Sequence, residues 1–265
     1  MEQIIQLTNF AIRAAIVAGE KINEVYGTSD FNIQVKADQT PVTVADQMAH
    51  DSIIKMLATT GLPVLSEEGI HLPYNERKNW ELFWLVDPLD GTKEFIKRND
   101  EFTVNIALIN GSKPISGVIY APVYHELYVG ITEIGAYKIT KPNADCTVGQ
   151  MQQSGIKLPM NVASEKCIVA VSRSHMNQET ANYIDRIAVA KSQTEILQKG
   201  SSLKICMVAE GSALVYPKYG KTMEWDTAAG HAIVNAVGKN IICPDTNNEL
   251  IYNKEDLQNP NFIVK

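Results

Sequence analysis

The stretch Leu82-Phe83-Trp84-Leu85-Val86-Asp87-Pro88-Leu89-Asp90-Gly91-Thr92 constrains this chain more than any other. Its apolar run, Leu82 to Val86, has the length and composition of a buried strand. The run stops abruptly at Asp87 and Asp90. Carboxylates at the mouth of a buried strand are expensive to desolvate unless something positive sits between them. Pro88 predicts a tight turn that lets both acids converge on one point. Gly91 admits close approach of backbone to a ligand. A helix opening at Thr92-Lys93-Glu94 would aim its first N–H groups at an anion. Acid pair, turn and free amides together describe a divalent metal held against a phosphate. A polar turn with an Asp helix cap accounts for the same residues without any ligand.

Composition narrows the setting. The 265 residues fit one large domain or two tightly packed ones. A net charge of −6 argues against binding a nucleic-acid polymer, but a small anionic substrate remains compatible if metals supply the positive charge. The N-terminal Met-Glu-Gln-Ile-Ile-Gln-Leu-Thr has no basic region ahead of an apolar stretch, so no signal peptide is expected. No run approaches the ~18 apolar residues of a transmembrane segment. Cys146, Cys167, Cys206 and Cys243 are far apart and form no C-x-x-C. Free thiols in a reducing cytoplasm are the simplest expectation, and a zinc site would want closer ligands.

Residues 3–25 carry an amphipathic helical pattern through Ile5, Ile12 and Ile16, with Gly27 as a stop. Alternation at Phe31, Ile33 and Val35 predicts a strand over 31–36. A helix is expected from about Ala45 to Ala58, with Met48, Ile53 and Leu57 facing the core and Asp46 in its first turn, where charge–dipole placement alone would favour it. Leu62-Pro63-Val64-Leu65-Ser66 reads as a second apolar strand ending in carboxylates, Glu67-Glu68. Two such endings suggest acids gathered at one sheet edge. Strand-like runs at 102–109, 115–121, 126–131 and 135–139, separated by short turns, predict an antiparallel meander.

Residues 140–165 are polar and read as irregular. They hold the expected domain boundary, near Asn161, dividing the chain into 1–160 and 161–265. Beyond it, Cys167–Val171 and Ala213–Tyr216 read as strands. A helix through Tyr183 and Ile187, one after Gly200-Ser201-Ser202-Leu203-Lys204, and one opened by Glu224-Trp225-Asp226 alternate with them. That order suggests an α/β domain. Asp226 is a candidate helix N-cap, and the small residues Thr227-Ala228-Ala229-Gly230 would allow close helix packing.

Taken together, Glu67-Glu68, Asp87-Pro88-Leu89-Asp90-Gly91-Thr92 and Trp225-Asp226-Thr227-Ala228-Ala229-Gly230 resemble the signatures of the inositol monophosphatase superfamily of metal-dependent, lithium-sensitive phosphatases. The order and approximate spacing agree over essentially the whole chain. Lys93-Glu94-Phe95, with Glu101-Phe102-Thr103-Val104-Asn105, Ser172-Arg173-Ser174-His175 and Gly200-Ser201-Ser202-Leu203-Lys204, is similar to the CysQ-type 3′(2′),5′-bisphosphate nucleotidases; inositol monophosphatases usually carry Thr-Asn-Phe after the Gly-Thr. The resemblance implies an α+β domain packed on an α/β domain, a layered α-β-α-β-α sandwich of the inositol monophosphatase and fructose-1,6-bisphosphatase type.

The resemblance also implies roles. Glu67, Asp87, Asp90, Asp226 and the Leu89 carbonyl would bind Mg²⁺, two or three ions per active site. Asp46 and Thr92 would orient and deprotonate the attacking water. Gly91, Thr92 and Lys93 would line the scissile phosphate, with the ligands Glu67, Leu89, Asp90 and Asp226 also touching substrate. His175, Ser201, Lys204 and Lys218 would hold the nucleoside and its second phosphate; read without the resemblance, Lys204 is equally a solvated helix lysine. The implied substrate is a small nucleotide bisphosphate, adenosine 3′,5′-bisphosphate, with its sulfated relative PAPS as a second one. An inositol or other sugar-phosphate phosphatase shares the metal site, and a non-catalytic nucleotide-binding protein is the reading of a different class. Monomer and homodimer are both compatible with the sequence. No amphipathic basic anchor requires association with the inner face of a membrane.

Overall fold

The computed structural model describes residues 1–28, 31, 34–35, 41–70, 72–160, 167–173, 176–190 and 193–265. In chain order the elements are α1 (Glu2–Tyr26), β1 (Gln34–Val35), β2 (Pro41–Val42), α2 (Val44–Leu57), β3 (Val64–Ser66), α3 (Tyr74–Arg77), β4 (Leu82–Asp90), α4 (Thr92–Ile96), β5 (Thr103–Asn110), β6 (Lys113–Ala121), β7 (Glu126–Ile131), β8 (Gly135–Thr140), α5 (Val148–Ser154), β9 (Ile156–Leu158), β10 (Cys167–Ser172), α6 (Gln178–Ala190), β11 (Thr194–Lys199), α7 (Leu203–Glu210), β12 (Tyr216–Lys218), α8 (Glu224–Asn235), β13 (Ile241–Ile242) and β14 (Phe262–Val264).

The large sheet runs β3-β4-β5-β6-β7-β8-β9. Only β3 and β4 are parallel in it; the rest is the antiparallel meander that the turn spacing predicts. Its strands alternate sides, as a two-residue period demands. Trp84, Val86, Val104, Ile106 and Leu108 pack with α1 and α2, while Phe83, Leu85, Ala107 and Ile109 pack with α7 and α8. A second sheet holds β10 parallel to β11 and the order β12-β14-β13, joined by a parallel bridge between Val169 and Val215. Residues of α6 pack on its far side through Ile184. The layers are therefore α1/α2, large sheet, α7/α8, second sheet and α6, the five-layer order expected from the sequence.

Helix α8 sits close on the large sheet. A Cβ on Gly117 of β6 would overlap the Ala229 backbone, and one on Gly130 of β7 would stand 2.5 Å from the Ile233 Cα. Of the small residues after Asp226, Ala229 supplies the other half of the fit at Gly117, and Gly230 makes room for Ile205 of α7.

Two expectations need correction. Residues 140–165 are not wholly irregular: Thr147 and Gln150 form a reciprocal capping box that opens α5, and β9 pairs with β8 as the seventh strand of the sheet. A seven-residue helix and a three-residue strand carry too little periodicity to register. The motif after Val86 is also not a simple turn; β4 continues through Asp90. The boundary near Asn161 lies outside the described residues, as does half of the strand expected over 31–36, of which Gln34–Val35 pairs with Pro41–Val42. Among the described residues no helix is long and apolar enough to cross a membrane.

Candidate active site

The site begins where β4 loses register with β5. Asp87 stands opposite Asn105 and Asp90 opposite Thr103, so three steps on β4 match two on β5. Pro88 has no N–H for the ladder, and a bulge absorbs it. The Leu89 amide freed by the bulge donates to Asp87 Oδ1 at 3.0 Å. Phe83, Trp84, Leu85 and Val86 are at most 1% exposed. Each contributes about 1.5–3 kcal/mol by burial, which offsets the repulsion of acids gathered at the strand's end. Gly91 then turns with φ 96°, a left-handed conformation that a side chain disfavours, and α4 follows.

Two further aspartates arrive on helices, both as the third helical residue. Asp46 Oδ2 accepts from the Thr43 amide at 2.7 Å and the Thr43 hydroxyl at 2.6 Å. Asp226 Oδ2 accepts from the Met223 amide at 2.8 Å. Asp226 is thus not the N-cap that the sequence suggested; it caps backwards from one turn inside. The remaining Asp46 oxygen, Oδ1, accepts from the Thr92 hydroxyl at 3.1 Å. The Leu89 carbonyl is 3.4 Å from the same hydroxyl.

Glu67, Asp87 and Asp226 each bring a carboxylate oxygen within 4.8 Å of the others. Burial, with the charges of Glu67, Asp90 and Asp226, pushes the Asp87 carboxyl well up. Burial, Asp90 and Glu67 do the same to Asp226. Asp46 is raised by burial against the opposing bonds from Thr43. A cluster of mutually repelling oxygen donors, one of them fully buried, fits a hard divalent cation such as magnesium. Asp90 stands beside this group rather than in it. Its Oδ2 accepts from the Ser202 amide at 2.6 Å and lies 3.4 Å from Asn105 Nδ2. Burial raises its carboxyl, opposed by Lys204.

Glu67, Asp87, Asp90 and Asp226 share a cavity of about 210 Å³ with Gly91, Thr92, Lys93, Ser201, Lys204 and Lys218; Asp46 lies behind Thr92. Lys93 is exposed. Lys204 is not a solvated helix lysine: it is 4% exposed. Burial pulls its ammonium down to about 8, against the pull of Asp90. Its Nζ donates to the Ser201 carbonyl at 2.5 Å and the Lys199 carbonyl at 3.2 Å, and lies over the Tyr216 ring. Lys218 is likewise buried and lowered by burial. His175 lies outside the described residues.

Several residues of the site have no role in the sequence reading, although Thr103, Asn105 and Ser202 stand in the stretches that carry the resemblance. Thr43 was legible, since Thr43-x-x-Asp46 is a helix-start pattern. Thr103 and Asn105 lie two apart on one strand face, and Thr103 Oγ1 reaches Asn105 Oδ1 at 3.0 Å. The hydroxyls of Ser201 and Ser202 meet Thr103 at 2.6 and 2.8 Å. Tyr216, Lys221 and Thr222, which also line the cavity, carry no local signal.

The inositol monophosphatase family model matches residues 4–264. The chain belongs to that family. A relative of Shigella flexneri, named 3′(2′),5′-bisphosphate nucleotidase CysQ, is 46% identical over 227 residues, covering 84% of this chain and 85% of its own. The crystal structure of CysQ from Bacteroides thetaiotaomicron, a bacterial member of the inositol monophosphatase family, matches with a TM-score of 0.90 and 48% identity over 97% of this chain and 95% of that one. The extragenic suppressor protein suhB of Bartonella henselae matches with a TM-score of 0.74 and 25% identity over 98% and 93%. The CysQ-type resemblance expected from Lys93-Glu94-Phe95 is borne out by the Shigella and Bacteroides relatives, and the chain is an enzyme of the phosphatase class.

Proposed function

We propose that this chain hydrolyses the 3′-phosphate of adenosine 3′,5′-bisphosphate to AMP and phosphate, with Mg²⁺ as cofactor, and acts on PAPS as a second substrate. The observation that carries the reading is the meeting of Glu67, Asp87 and Asp226 with buried Lys204 and Lys218 in one cavity. Such a cavity suits a substrate with two anionic groups. The Shigella relative named for this activity supports it.

Glu67, Asp87 and Asp226, with Asp90 and the Leu89 carbonyl, would hold the metal, which when bound polarises the phosphoryl oxygens and lowers the pKa of water. Thr92 and Asp46 form the proton path. The Thr92 hydroxyl already donates to Asp46, so a proton taken from the attacking water can pass to the threonine oxygen as its own moves to Asp46. Thr43 orients Asp46 by holding its other oxygen. Gly91, Thr92 and Lys93 would line the scissile phosphate. Ser201, Lys204 and Lys218, together with His175, would hold the nucleoside and second phosphate. In this reading residues 1–160 form the catalytic unit, and residues 161–265 bring the nucleotide contacts and Asp226.

Phosphate release from adenosine 3′,5′-bisphosphate and from inositol 1-phosphate, side by side with Mg²⁺ and with chelator, tests the reading. A strong preference for the nucleotide, abolished by chelator, is expected. Preference for the inositol substrate would leave the acidic group standing and overturn the roles of Lys93, Lys204 and Lys218.

A further inference from the structure

Glu101 has no role in the reaction described above, yet its carboxylate gathers donors from the second half of the chain. Arg173 Nε donates to Oε2 and Arg173 Nη2 to Oε1, both at 2.8 Å. The Gly200 amide donates to Oε2 at 2.8 Å, and Lys199 Nζ is 3.3 Å from Oε1. Burial alone would push this carboxyl up; the bonds from Arg173 and Gly200, with the charge of Lys199, outweigh it and hold the carboxyl below its ordinary range. A two-pronged guanidinium across both oxygens, with an amide added at Oε2, fixes the group's orientation. The main chain of Glu101 is equally confined. Its carbonyl oxygen lies 3.1 Å from where a Cβ on Gly91 would stand and 2.7 Å from one on Gly200. The turn before α4 and the loop before α7 therefore meet on the same atom.

From Gly200 a short polar path leads to the acids. Ser201 takes a left-handed φ of 53°, a conformation that persists in a non-glycine residue only when its surroundings over-determine it. On one side the Thr103 hydroxyl holds Ser201 and Ser202. On the other, Glu101 holds Gly200. Between these two anchors the Ser202 amide points at Asp90 Oδ2, and the Ser201 carbonyl receives Lys204 Nζ.

We propose that Glu101 is a positioning residue: by clamping Lys199, Gly200 and Arg173 it sets the Ser201–Ser202 loop, and through that loop it orients Asp90 and Lys204. This deepens the function proposed above and rests on that reading for the roles of Asp90 and Lys204.

Glu101→Gln tests it, because the amide keeps the shape and one acceptor but loses the charge that Arg173 and Lys199 meet. In the variant, amide hydrogen exchange over residues 199–204 is expected to accelerate about tenfold, and the half-saturating Mg²⁺ concentration and the KM for adenosine 3′,5′-bisphosphate to rise about tenfold, as for other residues that orient metal ligands. At saturating Mg²⁺ and substrate, kcat stays near wild type. Arg173→Lys keeps the charge and loses the fork; it should move the same readouts in the same direction by less, and it carries the test if Glu101→Gln does not fold. Unchanged exchange over 199–204 with unchanged Mg²⁺ dependence overturns the proposal, even if the melting temperature falls, since Glu101 would then be a structural ion pair only. Wild-type protein that releases no phosphate from the nucleotide would defeat the function proposed above. The exchange measurement, with Mn²⁺ binding followed by electron paramagnetic resonance, would still decide the role of Glu101.

Discussion

Asp87 and Asp226 reach the cavity from a nine-residue strand and a twelve-residue helix, both packed in the core. Lys204 and Lys218 reach it from an eight-residue helix and a three-residue strand. Three of the acids are held by their own elements: a bulge amide for Asp87, an N-cap amide for Asp226, the same device for Asp46; Asp90 alone takes its amide from the loop, at Ser202. Lys204 instead depends on a loop whose shape comes from elsewhere, from Thr103 and Glu101. Under the proposed function the contrast separates two tasks. A metal site tolerates little error in ligand position and belongs on rigid elements. Substrate choice can be carried by a loop, which changes without disturbing the core.

The sharpest way to break this contrast is Asp87→Asn. Losing this proposed metal ligand should reduce kcat on the order of 10³-fold, equivalent to several kcal/mol of charge stabilisation. In chelator the same variant should melt about 2–4 °C higher, because burial and neighbouring carboxylates disfavour the Asp87 charge. Phosphate release and thermal denaturation measure both. Activity that survives would remove the acidic group from the chemistry. Thr92→Val comes next: loss of the hydroxyl between Asp46 and the cavity should lower kcat about 10²-fold while leaving KM in place. A change in KM alone, seen in steady-state kinetics, would make Thr92 a binding residue instead. The smallest effect is expected from Lys204→Ala. KM for the nucleotide should rise about tenfold, the worth of one charged hydrogen bond, and a small phosphomonoester should be much less affected. Equal losses on both substrates would merge the two parts of the cavity and end the distinction.

The sequence makes the same division visible. The acids were legible because they end strands or open helices, and both positions leave marks: an apolar run stopping at Asp87, a Thr-x-x-Asp before α2, small residues after Asp226. The meander was legible from its turns. The strand through Asp87–Asp90 was misread as a turn, because Pro88 signals a break and only the pairing with β5 reveals a bulge. Lys204 was ambiguous for a different reason. Helix α7 is buried all round, so no periodicity says which face a lysine takes. Its burial follows from packing between the two sheets, a relation between residues far apart in the chain. Ser202 and Glu101 stand in stretches that carry the resemblance, but their contacts run through backbone amides and long-range ion pairs, so no role could be read from their neighbours in sequence. The helix α5 and strand β9 fell below the length at which pattern can be told from noise.

The close seat of α8 on Gly117 and Gly130 bears on how the whole active site keeps its alignment. Asp226 is carried by the helix that rests there, and backbone lies against backbone at the points of contact. The height of that carboxylate above the sheet is thus gauged by absent carbon atoms. A single methyl group added at either glycine would lift the helix axis and carry Asp226 away from Asp87, while every charged residue of the site remained in the sequence.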